Sequence, residues 1–453
     1  MKRLFGTDGI RGVAGSFPLD GDTVTRVGAA LARDLAARHP GRPARILIGR
    51  DTRESGEQIA RALSWGASRE GAQCLAAGVI PTPGVAYLAR TSGFDAGVMI
   101  SASHNPYRDN GIKVFSSDGY KLPDREEMAI EAMVLDSGVA LPVSEYSLPD
   151  VAAAPADLPA SYATFLRDSV DRSVTFAGLR LVVDCAHGAA SEIGPRAIRM
   201  LGAEVYALNC APTGRNINEA CGSLHPAGLA EAVRRTGSAL GVAFDGDADR
   251  CLIVAADGRL ADGDVLILQA ALKLKGEGRL PGDVVVTTVM SNLWLERSLA
   301  AEGIRMLRAP VGDKYVLEEM RRAGATLGGE QSGHIIFADR ATTGDGILTA
   351  LRLIEILVST GESVETWLSR VQAYPQVLLN VRVATRPDLE SHPVIGAEAT
   401  NVRQELGDAG RLVLRYSGTE PLARVMIEAT DAAMVDRLSR RLAEVIRREI
   451  GAS

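Results

Sequence analysis

Ala96-Gly-Val-Met-Ile-Ser-Ala-Ser-His-Asn-Pro106 reads as a buried strand running into a polar loop. The apolar run from Ala96 to Ile100 has the length of a strand, and Asn105-Pro106 then breaks regular structure. Two hydroxyls and an imidazole therefore stand where a strand ends, a favoured place for sites in α/β proteins. Ser103 in that position suits a nucleophile or a carrier of a covalent group. Six residues of this kind, taken alone, are more often a serine-rich turn. The other loops of the chain decide against the turn.

On the N-terminal side, residues 22–39 and 54–70 repeat apolar positions at helical period around a short strand at 45–49, and 84–91 forms another helix. This alternation predicts an α/β layer with mostly parallel strands. On the other side comes Asp109-Asn-Gly-Ile-Lys-Val-Phe115, with Asn110-Gly111 as a turn signal and 112–115 as a strand. That arrangement puts Lys113 one hairpin away from Ser103. A lysine there is an acid–base group of lowered pKa or a charge partner for phosphate, although an isolated lysine is usually solvated. The first residues, Phe5-Gly-Thr-Asp-Gly-Ile-Arg-Gly12, set Arg11 among glycines. Glycines admit a ligand close to the backbone and Arg11 offers a fork to a phosphate, but the spacing fits no nucleotide-binding fingerprint and a plain turn explains it equally well.

Residues 143–160, rich in Ala, Pro, Ser and Asp, read as a linker. A second α/β unit follows, with a strand at 179–184, a helix at 192–200 and a polar loop at 216–226. Its apolar run 240–244 leads into Asp245-Gly-Asp-Ala-Asp-Arg250. Asp245, Asp247 and Asp249 at i, i+2 and i+4 repel one another unless a cation compensates them. Hard oxygen ligands on a short loop suit Mg²⁺, and no EF-hand glutamate follows. Arg250 is placed to meet a phosphate. An acidic surface turn is the competing reading, and so high a charge density disfavours it.

A third unit places helices at 264–275 and 293–302 around a strand at 284–289, and a helix at 317–323. Then comes Gly328-Gly-Glu-Gln-Ser-Gly-His334, in which Glu330 and Ser332 are suited to sugar hydroxyls and His334 to proton transfer. A hairpin turn with a core histidine is the plainer alternative. From about Tyr374 the pattern becomes a smaller α+β domain, with strands at 378–384, 412–416 and 423–428 and a terminal helix carrying Met434, Leu438, Leu442 and Val445 on one face. Between its strands Arg415, Ser417, Gly418, Thr419 and Arg424 combine arginines, hydroxyls and free N–H groups suited to an anion nest, and an ordinary polar turn explains the loop equally well when it is taken alone. The expected division is 1–150, 151–256, 257–372 and 373–453.

At 453 residues, 46% hydrophobic and 23% charged, the chain has the composition of a multidomain globular protein. A net charge of −6 leaves no footprint for nucleic acid, and no apolar stretch approaches membrane-spanning length. The N-terminus lacks an apolar signal region, and five scattered cysteines fit a reducing cytoplasm.

A carrier serine, a metal site, a polyol contact and a phosphate clamp are the parts needed to move a phosphoryl group between two hydroxyls of a sugar. With FGTDGIRG at the start, NINEACGSLHP at 216–226, GEQSGH at 329–334 and RYSGTEPLARVM at 415–426, the chain resembles the α-D-phosphohexomutase superfamily along essentially its whole length. Among its members the resemblance is to those acting on amino-sugar phosphates. It implies three related α/β domains with mixed sheets and a C-terminal domain that can rotate, all set around a central cleft. It implies interconversion of glucosamine 6-phosphate and glucosamine 1-phosphate, supplying UDP-N-acetylglucosamine for cell-wall precursors. Ser103 would be phosphorylated and a sugar 1,6-bisphosphate would serve as intermediate and activator. One Mg²⁺ would sit on Asp245, Asp247, Asp249 and the Ser103 phosphate. Arg11, His104, Lys113 and Arg250 would surround the transferring group, with Lys113 and His334 as acid–base candidates. Glu330 and Ser332 would hold the sugar, and the 415–419 loop the second phosphate. A homodimer enters only through the resemblance. Lys314 stands where the family often has arginine. The alternatives are a phosphomannomutase or phosphoglucomutase on the same fold, a Mg²⁺-dependent phosphatase using the aspartate loop, and a sugar-phosphate sensor.

Overall fold

The computed structural model describes residues 4–6, 8–136, 148–417 and 421–452. They form two compact bodies, one of residues 1–288 with 307–369, the other of 289–306 with 370–453.

The first body contains a sheet of β1 (Phe5–Gly6), β2 (Gly9–Val13), β3 (Arg45–Arg50), β4 (Gln73–Val79), β5 (Ala96–Ile100) and β6 (Asp109–Ser116), ordered β1-β2-β6-β5-β3-β4. All five residues of β5 are buried, as its unbroken apolar run requires. A second sheet holds β7 (Arg180–Asp184), β8 (Glu204–Leu208), β9 (Leu240–Phe244), β10 (Cys251–Ala255) and β11 (Leu260–Ala261), ordered β11-β10-β9-β7-β8. A third has β12 (Val284–Thr288), β13 (Arg305–Ala309), β14 (Leu327–Gly329) and β15 (Ile335–Phe337), ordered β13-β12-β14-β15.

One unit repeats in all three sheets. The orders β4-β3-β5-β6, β8-β7-β9-β10 and β13-β12-β14-β15 are the same permutation. In each, the first and third strands pair in parallel and the fourth returns antiparallel to the third. The sheets are therefore mixed rather than mostly parallel, because the fourth strand of each unit returns directly through a loop and not through a helix. That returning connection is the same in all three units. It carries Ser103 in the first, the three aspartates in the second, and Glu330, Ser332 and His334 in the third. The repetition leaves only the strand–helix alternation in the sequence, since each copy needs apolar strands of the right length rather than particular residues.

Three local expectations are corrected. Asn110-Gly111 is no turn: both lie inside β6, and the reversal is made by 101–108. Asn110 is buried and donates to Ser55 Oγ at 2.9 Å, while a Cβ on Gly111 would lie 2.6 Å from Ser101 O and 2.8 Å from Ile10 O. Here Gly111 serves close strand approach and not a left-handed turn. The glycine-rich start is also no simple turn, because β2 adds to the sheet with Arg11 opposite Gly111. The expected linker is docked where it is described: Ala153 bridges Ala76 on the edge strand, and a helix begins at Asp157. Residues 143–147 of that stretch lie outside the described residues.

In the second body β16 (Gln376–Arg382), β17 (Gly410–Tyr416) and β18 (Leu422–Ala429) form an antiparallel sheet ordered β16-β18-β17. Two helices, Pro393–Leu406 and Ala432–Ile450, pack on it through Val402, Leu438 and Leu442 against Val381, Val425 and Ile427. The terminal helix uses the apolar face expected of it. The helix from Pro393 was not legible, since its cap is a histidine: His392 Nδ1 accepts from the N–H groups of Val394 and Ile395, each at 3.3 Å. Among the described residues, no helix is long and apolar enough to cross a membrane.

Gly111→Ala is expected to lower stability by about 1–3 kcal/mol through the backbone clash it creates. Urea unfolding checks this, and an unchanged midpoint would return Gly111 to a turn.

Candidate active site

Ser103 is a non-glycine residue at φ 51° and is only 2% exposed. The left-handed geometry is held by a buried frame that has no chemistry of its own. The Ser103 N–H donates to Ser101 Oγ at 2.9 Å, and Ser101 Oγ donates to Asp51 at 2.5 Å. Asp51 pairs with Arg53 at 2.6 Å, both side chains being fully buried. Arg53 donates onward to the carbonyls of Ser103 (3.1 Å), Asn105 (2.5 Å) and Asp109 (2.7 Å). From the second unit, Asn218 Nδ2 reaches the same Ser103 and Asn105 carbonyls at 2.9 and 3.1 Å. Gly246 is pressed against this loop so closely that a Cβ would lie 2.5 Å from Ser103 O. The serine hydroxyl is thus left pointing at the acidic loop, where it donates to Asp245 Oδ2 at 2.5 Å.

Asp245, Asp247 and Asp249 are 1%, 0% and 6% exposed, and one carboxylate oxygen from each lies within 4.8 Å of the others. Their environments differ. Burial and the two neighbouring carboxylates push the Asp245 carboxyl well up. Asp247 and Asp249 are buried too, but Lys113 sits 3.0 Å from the first and 3.6 Å from the second and holds both down. Asp247 also accepts from Thr82 Oγ1 at 2.5 Å. Oδ1 of Asp247 and Oδ1 of Asp249 are buried without a hydrogen-bond partner. Three buried carboxylates with two orphaned oxygens, converging to one point, are a donor set for a hard divalent cation.

Of the two readings of Lys113, an acid–base group of lowered pKa and a charge partner, its surroundings do not produce the first. The ammonium is desolvated, yet Asp247, Asp8 and Asp249 surround it and drive its pKa well up. His104 departs the other way. Its Nδ1 is 3.3 Å from Ser103 Oγ, and burial with Arg250 and Arg11 nearby pulls its pKa down to about 4, so the ring is neutral near pH 7. His334 is 3% exposed, with Nδ1 3.6 Å from Asp249 and Nε2 accepting the Gly344 N–H at 3.1 Å. Acceptance at Nε2 puts the ring proton of the neutral form on Nδ1, facing Asp249. Arg250 donates its N–H to Asp245 at 3.2 Å, and its buried Nε has no hydrogen-bond partner.

Arg11 pairs with Asp8, and Asp8 also meets Lys121 and Lys113. Lys121 continues to Asp313 in the third unit. Glu330 accepts the Gly312 N–H at 3.1 Å, and Ser332 Oγ is buried without a hydrogen-bond partner. Lys314 pairs with Asp124. In the second body, Arg415 and Arg424 stand directly opposite each other on β17 and β18, and burial and Arg424 pull the Arg415 pKa down. Like charges in that register destabilise a sheet unless an anion joins them. Ser417 is buried beside them and donates its N–H to Leu422 O at 2.8 Å. Gly418 and Thr419 lie outside the described residues.

Every candidate of the first three units is thus found in the first body, and nine of them, Arg11, Ser103, His104, Lys113, Asp245, Asp247, Asp249, Arg250 and His334, interact around one centre. The sequence reading missed the supports Asp8, Asp51, Arg53, Thr82, Lys121, Asn218 and Asp313. Asp51-Thr-Arg53 directly follows the end of β3, so the strand-end rule that singled out Ser103 would have found it.

Arg53→Met leaves Asp51 buried without its partner and is expected to cost about 3–5 kcal/mol in urea unfolding. Because the folded His104 pKa is depressed from 6.5 to about 4, its contribution to stability is complete above pH 6.5 and is lost as pH falls through about 4. His104→Asn should therefore flatten the loss of stability across that window when unfolding is followed at stepped pH. An equal slope in both proteins would place the titration elsewhere.

Four family models match in tandem: phosphoglucomutase/phosphomannomutase alpha/beta/alpha domain I over residues 2–138, domain II over 160–258, domain III over 262–374 and the C-terminal domain over 378–445. A phosphoglucosamine mutase of Solibacter usitatus is 52% identical over 99% of this chain and 99% of its own. A phosphoglucomutase/phosphomannomutase family protein of Burkholderia thailandensis superposes with a TM-score of 0.82 at 23% identity, covering 100% of both chains. An N-acetylphosphoglucosamine mutase of Aspergillus fumigatus, solved in complex with GlcNAc-6P and magnesium, gives 0.66 at 19% identity, over 99% of this chain and 96% of that one. With family models along nearly its whole length and half of its residues shared with a full-length relative, this chain belongs to the phosphoglucosamine mutases of the phosphoglucomutase/phosphomannomutase family.

Proposed function

We infer that the chain is an isomerase that interconverts glucosamine 6-phosphate and glucosamine 1-phosphate by way of a phosphorylated Ser103. The observation that carries this reading is the Ser103 hydroxyl, 2.5 Å from Asp245 at the edge of the three buried carboxylates. Asp245, Asp247, Asp249 and a phosphate oxygen on Ser103 would hold Mg²⁺, the metal present in the Aspergillus relative's complex. When bound, the cation neutralises charge on the phosphoryl oxygens, the main demand of phosphoryl transfer.

The chain's own residues supply the rest. The phosphoryl group leaves Ser103 Oγ and joins the free hydroxyl of the sugar monophosphate, one P–O bond breaking as another forms. The product of this half-reaction is the 1,6-bisphosphate. Its other phosphate then returns to Ser103, so that the enzyme is restored and the sugar has exchanged positions. Lys113, held protonated by its carboxylates, balances charge, donates a proton to the departing Ser103 oxygen and takes it back when Ser103 is rephosphorylated. His104, held neutral with Nδ1 3.3 Å from Ser103 Oγ, accepts the proton of the attacking sugar hydroxyl and returns one to the departing sugar oxygen in the second half-reaction. His334 orients Asp249 through Nδ1 and shares the acid–base role assigned to it only through that contact. Arg11 and Arg250 face the transferring oxygens. Glu330 and Ser332 contact the sugar, and Arg415, Ser417, Gly418, Thr419 and Arg424 grip the phosphate that is not reacting. The domain limits at 150, 256 and 372, the free bisphosphate as activator, and a homodimer belong to the same proposal. Five free cysteines support a reducing cytoplasmic location.

Ser103→Ala is expected to lose isomerisation by at least about 1000-fold while the fold persists. Wild-type protein assayed with Mg²⁺ and a trace of sugar bisphosphate should favour glucosamine 6-phosphate over the glucose and mannose 6-phosphates by kcat/KM. Preference for either of the others assigns a different sugar to the site, and retained activity in Ser103→Ala overturns the carrier.

A further inference from the structure

β7 and β8 run in parallel with Asp184 opposite Leu208, and each is followed at once by a cysteine-bearing loop. The Cys185 N–H donates to Leu208 O at 3.1 Å, and the Cys210 thiol donates to the same carbonyl at 3.1 Å. The two residues therefore meet at one peptide group, the Cys210 sulfur lying on the carbonyl that the Cys185 backbone holds. Of the five cysteines, Cys74, Cys185, Cys221 and Cys251 are buried and only Cys210 is partly exposed. Cys210 opens into a cavity of 740 Å³ whose wall also includes Thr52, Pro81, Ala163 and Ile193. A small neutral oxidant can enter there.

The dithiol touches the frame of the candidate active site. Ala186 and His187, next to Cys185, stand at φ 53° and 49°, unusual values for residues with side chains. Ala186 O accepts the Asn218 N–H at 2.9 Å, and Asn218 is the residue that grips the Ser103 carbonyl. His187 O accepts from Thr52 Oγ1 at 2.6 Å, beside Asp51. The Ala189 N–H donates to Gly246 O at 2.8 Å, between Asp245 and Asp247. A shift of the 185–189 loop is transmitted to both the serine loop and the acidic loop.

We propose that Cys185 and Cys210 form a reversible, peroxide-sensitive disulfide that switches the enzyme off. In the first step the Cys210 thiolate attacks one oxygen of hydrogen peroxide. The O–O bond breaks, giving a Cys210 sulfenic acid and hydroxide, which leaves as water with one proton. In the second step the Cys185 sulfur displaces the hydroxyl from Cys210; the S–O bond breaks, the S–S bond forms, and the Cys185 proton leaves with the hydroxyl as water. Two thiols and one peroxide thus give one disulfide and two waters. A low-molecular-weight thiol reverses it by exchange.

The thiol chemistry runs in the required direction. The neighbouring Cys185 thiol draws the Cys210 pKa down, while burial pushes that of Cys185 up. The more exposed, more acidic thiol is the attacking one and the buried one resolves.

Full-length protein is treated with hydrogen peroxide, then alkylated, digested and analysed by mass spectrometry, with isomerase activity followed in parallel. A Cys185–Cys210 cross-linked peptide, lighter by two hydrogens than the two thiol peptides, is expected to appear. Activity is expected to fall by about 10- to 100-fold, the scale set by a misplacement of about 1 Å, and to return with dithiothreitol. Cys210→Ser is expected to keep its activity before and after peroxide, and Cys185→Ala to stop at a trappable sulfenic acid on Cys210. Absence of the cross-link in wild-type protein, or a cross-link that leaves activity unchanged, overturns the switch. The cross-link is read independently of turnover, so an inactive untreated protein would count against the proposed reaction and not against the dithiol.

Discussion

Three carboxylates within 4.8 Å, none more than 6% exposed, are the constraint around which the first body is built. Charges that close in a dry site repel strongly, and each must find compensation. Lys113 supplies part of it, which is why an ammonium that is almost wholly buried keeps its proton. Thr82 and the Arg250 N–H supply neutral donors. Two oxygens remain without a hydrogen bond, and the Asp245 carboxyl is driven upward. The deficit is one of positive charge, and it lies beside Ser103.

A second buried pair does quieter work. Asp51 and Arg53 carry no reactive role, yet Arg53 ties two carbonyls of the serine loop and the first of β6, and Asp51 fixes Ser101. Removing either partner would leave an unpaired charge in the interior, so the pair fixes the loop more firmly than it stabilises the fold. Asn218 and Gly246 then close the loop from the second unit, one by hydrogen bonds and the other by having no side chain. Ser103 is therefore positioned by two repeats at once.

The repeated four-strand unit explains how such distant segments meet. In each copy the loop between the third and fourth strands leaves the sheet at the carboxyl end of a parallel strand, where backbone groups are free to face a ligand. Three copies bring three such loops, with a serine, an acidic triad and a polar Glu-Gln-Ser-Gly-His stretch. Division of labour among copies needs no change in the sheets, only in what each loop carries.

Much of this was legible from residues alone. Apolar runs of strand length located β5, β7 and β9, and strand-end position singled out Ser103 and the aspartates, because periodicity and charge density are local properties. The apolar face of the terminal helix was legible for the same reason. What the tertiary structure decided is everything that depends on which distant group lies opposite. Asn110-Gly111 became strand because Ser101 and Ile10 close on it. Lys113 became a fixed cation and His104 a neutral imidazole because carboxylates surround the one, and burial with arginines the other. Asp51, Arg53 and Asn218 have no pattern of their own and acquire a role only through a loop about 50 or more than 100 residues away. A chain can state which groups it owns; the field each group feels is set by its neighbours, and only folding chooses those.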